Sequence, residues 1–116
     1  MADYRCEKLA TLIQQKISAF ILDGRIKDPR VTPFLSVTRV IVSRDLSFAD
    51  VYISNIKADA DISKGALGLQ NAAGFIQTQL GAVMKIRKIP HLRFHADNSV
   101  REGFDIIKKI ENLNDK

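Results

Sequence analysis

The feature that most restricts the fold is an apolar stripe at helical spacing, interrupted by glycine. Ala66, Leu69, Ala73, Ile76, Leu80 and Val83 succeed one another in alternating steps of three and four residues, the spacing of one helix face. Unbroken, such a stripe would run for about five turns. Gly65, Gly68, Gly74 and Gly81 fall within it, and each weakens a helix interior by about 1 kcal/mol relative to alanine. So many glycines predict two helical arms meeting at a break.

The flanking segments settle the class. Between Tyr4 and Leu22, the apolar residues Cys6, Leu9, Ala10, Ile13, Ile17, Phe20 and Ile21 keep a helical register, with Arg5, Lys8, Gln15 and Lys16 outside it. Asp23-Gly24 is a stop signal, and Asp28-Pro29-Arg30 and Thr32-Pro33 cannot continue a helix, because proline lacks an N–H and restricts the residue before it. Residues 35–43 and 48–55 are rich in β-branched side chains, and Arg44-Asp45-Leu46-Ser47 suits a hairpin connection. In the first strand Leu35 and Val37 share one parity and Val40 and Val42 the other, which predicts a β-bulge near Thr38-Arg39. In the second, Ala49, Val51 and Ile53 point inward. Pro90 closes the broken helix, and Leu92 and Phe94 mark a short third strand. Ser99 and Glu102 form a capping-box pair ahead of Phe104, Ile107 and Ile110, predicting a final helix.

The chain is therefore expected to be α+β, in the order α-β-β-α-kink-α-β-α, with a three-stranded sheet and helices packed on one face. Its 116 residues suit a single domain, with an ordered core over about 4–112. The lone Cys6 cannot pair within the chain, and no apolar run is long enough for a signal peptide or a membrane span. A cytoplasmic protein without membrane contact is expected, with Cys6 serving as a small hydrophobe in the first helix.

Charge narrows the function. No acidic residue occurs between Ile62 and Ala96, whereas Lys64, Lys85, Arg87, Lys88 and Arg93 all lie there. The remaining thirteen basic residues balance the thirteen acidic ones, so the net charge of +5 resides in this one segment. A locally unbalanced field attracts a polyanion far better than dispersed charge does. These five side chains are expected to form one basic ridge, with Arg5, Lys8 and Arg30 as additional contacts if the first helix and its loop lie alongside. Sparse aromatics, with no tryptophan, argue against base stacking as the main source of affinity.

A type II KH-like RNA-binding domain has the same order of elements, and three passages make the resemblance specific. Lys27-Asp28-Pro29-Arg30, the hairpin from Val42-Ser43-Arg44-Asp45-Leu46-Ser47 to Val51-Tyr52-Ile53-Ser54, and Ala72-Ala73-Gly74-Phe75-Ile76 resemble the ribosome-binding factor A family over nearly the whole chain. The resemblance implies that an Ala-x-Gly kink, here Ala72-Ala73-Gly74, replaces the Gly-x-x-Gly loop of KH domains; beside it, Asn71 is a candidate amide reader. A glycine there would let backbone or phosphate approach closely. The literal Gly65-Ala66-Leu67-Gly68 is a decoy, since Ala66 belongs to the buried stripe.

The resemblance further implies binding to 16S rRNA and the 30S subunit, free or immature and not in the 70S ribosome. It also implies late maturation and rRNA processing, importance in the cold, release by a ribosome-associated GTPase, and action as a monomer. A general single-stranded RNA-binding module and a protein-interaction module using the open sheet face near Phe48 and Tyr52 or the exposed edge strand remain alternatives. No catalytic constellation, cofactor or metal site is expected: His91 and His95 share a strand face without converging. Many family members carry a charged tail after the final helix, whereas this chain ends at Asn114-Asp115-Lys116.

Overall fold

Helix α1 (Tyr4–Leu22) buries the predicted register, with Ile13 and Ile17 wholly covered. It stops where Gly24 takes φ +68°, a left-handed conformation that costs glycine nothing. The Arg25 N–H then donates to the Phe20 carbonyl at 3.1 Å and the Gly24 N–H to the Ile21 carbonyl at 3.2 Å, the paired bonds of a Schellman cap. In this computed structural model, residues 4–57, 61–84, 86 and 88–97 are described. The final helix expected from Ser99 to Ile110 lies outside them.

Strands β1 (Leu35–Val42) and β2 (Phe48–Asn55) pair antiparallel, with a register shift between Val37 and Arg39 where the parity of the sequence changes. Ser43 organises the connecting turn: its Oγ accepts from the Ser47 and Phe48 N–H groups at 3.1 and 3.0 Å. After α2 (Ile62–Asn71) and α3 (Ala73–Met84), strand β3 (His91–Ala96) returns parallel to β2, giving the sheet order β1-β2-β3. A parallel neighbour needs a crossover, which the two helices supply. α1 packs on β1, α2 on β3 and β2, and α3 on β3. Leu35, Val37, Val42, Ala49, Val51, Ile53, Leu92 and Phe94 are buried beneath them. The result is the expected α+β arrangement, with the described helices on one face of a mixed three-stranded sheet.

The predicted break is present, but no glycine makes it. It falls at Ala72, whose φ of −92° and ψ of 7° interrupt the helix while its N–H is shared between the Gly68 and Leu69 carbonyls. Gly65 and Gly68 serve packing instead. A Cβ on Gly65 would lie 2.6 Å from Leu35 Cδ2, and one on Gly68 would lie 2.9 Å from Arg30 Cβ and 3.0 Å from Val31 Cγ2. A Cβ on Gly74 would meet nothing within 4 Å. No described segment of the chain itself approaches closely at Gly74, so glycine there is not required by the packing of the described fold. Val83 also departs from the stripe. It is 43% exposed, because the last turn of α3 borders an open groove beside α1.

Substituting alanine at Gly68 is expected to lower stability by about 1–3 kcal/mol through overpacking against Arg30 and Val31. The same change at Gly74 should leave stability unchanged or raise it by up to about 1 kcal/mol through helix propensity. Urea denaturation of the two variants checks this, and equal midpoints would contradict the assigned close contact.

Candidate nucleic-acid interface

The break at Ala72 opens onto a groove of about 410 Å³ lined by Arg25, Lys27, Asp28, Pro29, Asn71, Ala72 and Phe75. Two chain segments build it. The Schellman cap ends α1 and leads the chain through Arg25 and Lys27, with the Arg25 guanidinium over the Phe20 ring, and the tight seat of α2 at Gly68 brings Asp28 up to the end of α2. Asp28 is the hub. Its Oδ1 accepts from the Arg30 backbone N–H at 2.9 Å and from Arg30 Nε at 3.0 Å. Its Oδ2 accepts from the Arg30 guanidinium at 2.8 Å and from Asn71 Nδ2 at 3.3 Å. The Arg30 side chain first, then its backbone N–H, hold the Asp28 carboxyl well below the usual carboxylate range.

A second groove, about 440 Å³, runs between α1 and the end of α3 and is lined by Arg5, Lys8, Leu9, Leu12, Lys16, Val83, Met84 and Ile86. Apolar side chains form its floor and cations its rim. Arg5 and Lys8 thereby share a groove with Ile86, just past the end of α3. Lys88 is exposed, whereas Lys85 and Arg87 lie outside the described residues.

The single ridge does not form as expected. Lys64 is exposed in the first turn of α2, on the helix side of the sheet, while Arg93 projects from the opposite face, which none of the described helices covers. The parity of β3 compels this: Leu92 and Phe94 must point toward the helices, so Arg93 cannot. There Arg93 Nε and a terminal guanidinium nitrogen donate to Asp50 at 2.9 and 3.1 Å, and the guanidinium carbon lies 4.4 Å from the centre of the Phe48 ring. His95 Nε2 is 2.7 Å from Asp50 Oδ1, and the His95 ring stacks on Tyr52 at 5.1 Å. Burial pushes the Asp50 carboxyl up, but the bonds from His95 and Arg93 outweigh it and leave a net downward shift. Arg93 is a paired, oriented cation. Arg30 is likewise paired with Asp28, and Asn71 is tied to the same carboxylate.

Sequence reasoning missed Arg25 and Phe75 as site residues and left Lys27 out of the site although quoting it in a motif. Phe75 is 45% exposed at the groove, so an aromatic surface is present after all. The available signal was the i, i+4 spacing of Asn71 and Phe75 across the break.

Because the folded Asp28 pKa is depressed, its contribution to stability is fully present above the unfolded value of about 3.9 and is lost as pH falls through the lower folded value. The stability difference between the wild type and Asp28→Asn should therefore be constant above about pH 5 and shrink below about pH 4. Denaturation across that range measures it, and a pH-independent difference would contradict the hub.

Comparison with known proteins agrees with this architecture. The family model described as ribosome-binding factor A matches residues 5–110. A ribosome-binding factor A of Treponema denticola is 44% identical over 113 residues, covering 97% of this chain and 86% of that protein. One from Dictyoglomus thermophilum is 38% identical, covering 94% of this chain and 90% of that protein. Among solved structures, a Thermotoga maritima protein described as a putative ribosome binding factor A has a TM-score of 0.69 at 28% identity, covering 85% of this chain and 92% of that one. A Thermus thermophilus ribosome binding factor A, fitted as a homology model into the map of a 30S complex, has a TM-score of 0.61 at 21% identity, covering 77% and 91%. With nearly the full chain matched both by the family model and by relatives above the 30% level, this chain belongs to the ribosome-binding factor A family.

Proposed function

We propose that this protein binds the small ribosomal subunit through 16S rRNA, engaging free or immature 30S particles and not the 70S ribosome. It promotes late maturation and rRNA processing, a role of greatest weight in the cold, acts as a monomer in the cytoplasm, and is released by a ribosome-associated GTPase. The observation that carries the reading is the pair of cation-lined grooves, one at the elbow of the bent helix and one at the end of its second arm, in a chain of this family. Support also comes from the relative fitted into a 30S complex. The fold is read as a type II KH-like domain in which the elbow at Ala72 stands in place of a Gly-x-x-Gly loop. The protein works by binding, without turnover: it shifts an rRNA equilibrium only by its differential affinity for one conformer.

The sheet face that none of the described helices covers favours a second reading, recruitment of a polypeptide, since Ile41 and Phe48 are 48% and 40% exposed there. Its edge-strand version is disfavoured at β3. The Gln70 side chain donates to the Leu92 carbonyl at 3.2 Å and accepts from the Phe94 N–H at 2.9 Å, occupying backbone groups that an added strand would need.

Reversing Lys85, Arg87 and Lys88 together to glutamate should reduce cosedimentation with immature small subunits at least tenfold. It should also flatten the logarithmic salt dependence by roughly 2, at about 0.7 per lost phosphate contact. Normal cosedimentation of the folded variant would overturn this assignment of the basic rim. Loss of association on Ile41→Lys alone would favour the sheet face.

A further inference from the structure

We infer that the groove at the elbow is a single-base pocket, taking one unpaired nucleotide whose base carries an exocyclic amino group, adenine foremost, against Phe75 with the amino group on Asn71. This rests on the RNA-binding reading above and makes it more specific.

The argument begins with the direction in which Asn71 must face. An ionised carboxylate accepts hydrogen bonds and donates none, so Asp28 admits only the amide NH2 of Asn71, and the bond is made by Nδ2. The low pKa of Asp28, set first by Arg30, keeps that carboxylate ionised. The Asn71 carbonyl oxygen is thereby turned away from Asp28, and it has no donor among the described residues. Asn71 is exposed and lines the groove. An otherwise adaptable amide is fixed with its acceptor outward.

An outward acceptor beside a carboxylate prefers a donor. The amino group of adenine or cytosine supplies N–H at the edge of the ring, whereas uracil offers carbonyls on either side of its one ring N–H. Asparagine to the amino edge of adenine is a recurrent pairing in nucleic-acid recognition. The rest of the groove suits a nucleotide. Phe75, one helical turn along from Asn71, is 45% exposed and offers an aromatic face on which a purine stacks better than a pyrimidine. Arg25 and Lys27 line the same groove, and Lys27 is exposed without an ion pair among the described residues, so a phosphate attached to the stacked base meets positive charge. The volume of about 410 Å³ is within the range of small-ligand sites. Gly74 also acquires a reason. With nothing of the described chain within 4 Å of a Cβ there, the space beside Phe75 stays open for the incoming backbone.

The test is nuclear magnetic resonance titration of the full chain with three pentaribonucleotides in a uridine background, bearing adenine, unsubstituted purine or uracil at the centre. Adenine should bind about fivefold more tightly than purine, the effect of one hydrogen bond of about 1 kcal/mol, and should shift the side-chain NH2 resonances of Asn71. Phe75→Leu, at an exposed position, should weaken the adenine oligomer about tenfold or more through lost stacking. In Asn71→Ala the preference of adenine over purine should vanish. If all three oligomers bind equally and the Asn71 resonances stay still, while immature small subunits are retained in a salt-dependent manner, the base pocket is refuted and the RNA-binding reading stands. If neither oligomers nor subunits are bound, both are refuted.

Discussion

The depth at which α2 is seated governs both the fold and its candidate interface. At Gly65 and Gly68 the helix backbone lies so close to Leu35 and to residues 28–31 that a methyl group would collide. This intimacy has two consequences. It covers the apolar face of the sheet with Ala66 and Leu69, both buried, and it brings the Asp28 carboxylate within hydrogen-bonding distance of Asn71 at the helix end. A helix held farther out by two β-carbons would leave the elbow without its hub. The helix propensity lost at two glycines, about 1 kcal/mol each, is offset by packing that no other residue permits.

Polar side chains then lock the sheet to its helices. Gln70 from α2 bonds two backbone groups of β3, and Gln14 from α1 donates to the Val37 carbonyl at 3.2 Å, beside the bulge where the ladder shifts register. Thr38, in the bulge, lies 2.5 Å from Asp97 just past β3 and so ties the two outer strands across β2. Backbone groups that pairing leaves over are satisfied by amides and hydroxyls from the covering layer, as buried polar groups require. No buried side-chain nitrogen or oxygen lacks a partner among the described residues. The same amide that completes the fold at β3 denies that edge to a foreign strand.

The charge distribution shows how differently a segment reads along the chain and in space. The acid-free stretch from Ile62 to Ala96 suggests one cationic surface, yet strand parity sends Arg93 to the face opposite the helices, where Asp50 neutralises it. Exposed ion pairs of this kind add little stability, but here the pairing holds the guanidinium over Phe48. Lys27, Lys64 and Lys88, by contrast, have no ion pair among the described residues. Their ammonium groups are left to meet a polyanion. Uncompensated charge thus sits around the bent helix pair, and oriented, compensated charge sits on the open sheet.

Period and parity made most of the elements legible before any coordinates. The α1 register, the bulge near Thr38-Arg39, the inward sets Ala49-Val51-Ile53 and Leu92-Phe94 and the interruption of the second helix all follow from local spacing, because burial on one face imposes its own repeat on a helix or a strand. Glycine number pointed to a broken helix, and the break falls at Ala72 within the expected Ala72-Ala73-Gly74 kink, although the glycines themselves do not make it. Whether a missing Cβ serves a bend or a close contact depends on what lies opposite, and Leu35 and Arg30 are thirty and thirty-eight positions away from Gly65 and Gly68 in the chain. The parallel placement of β3, the Asp28-Arg30-Asn71 cluster and the separation of Arg93 from Lys64 were likewise decided by tertiary structure. Each depends on two distant segments meeting at a particular depth and orientation, which no local repeat encodes.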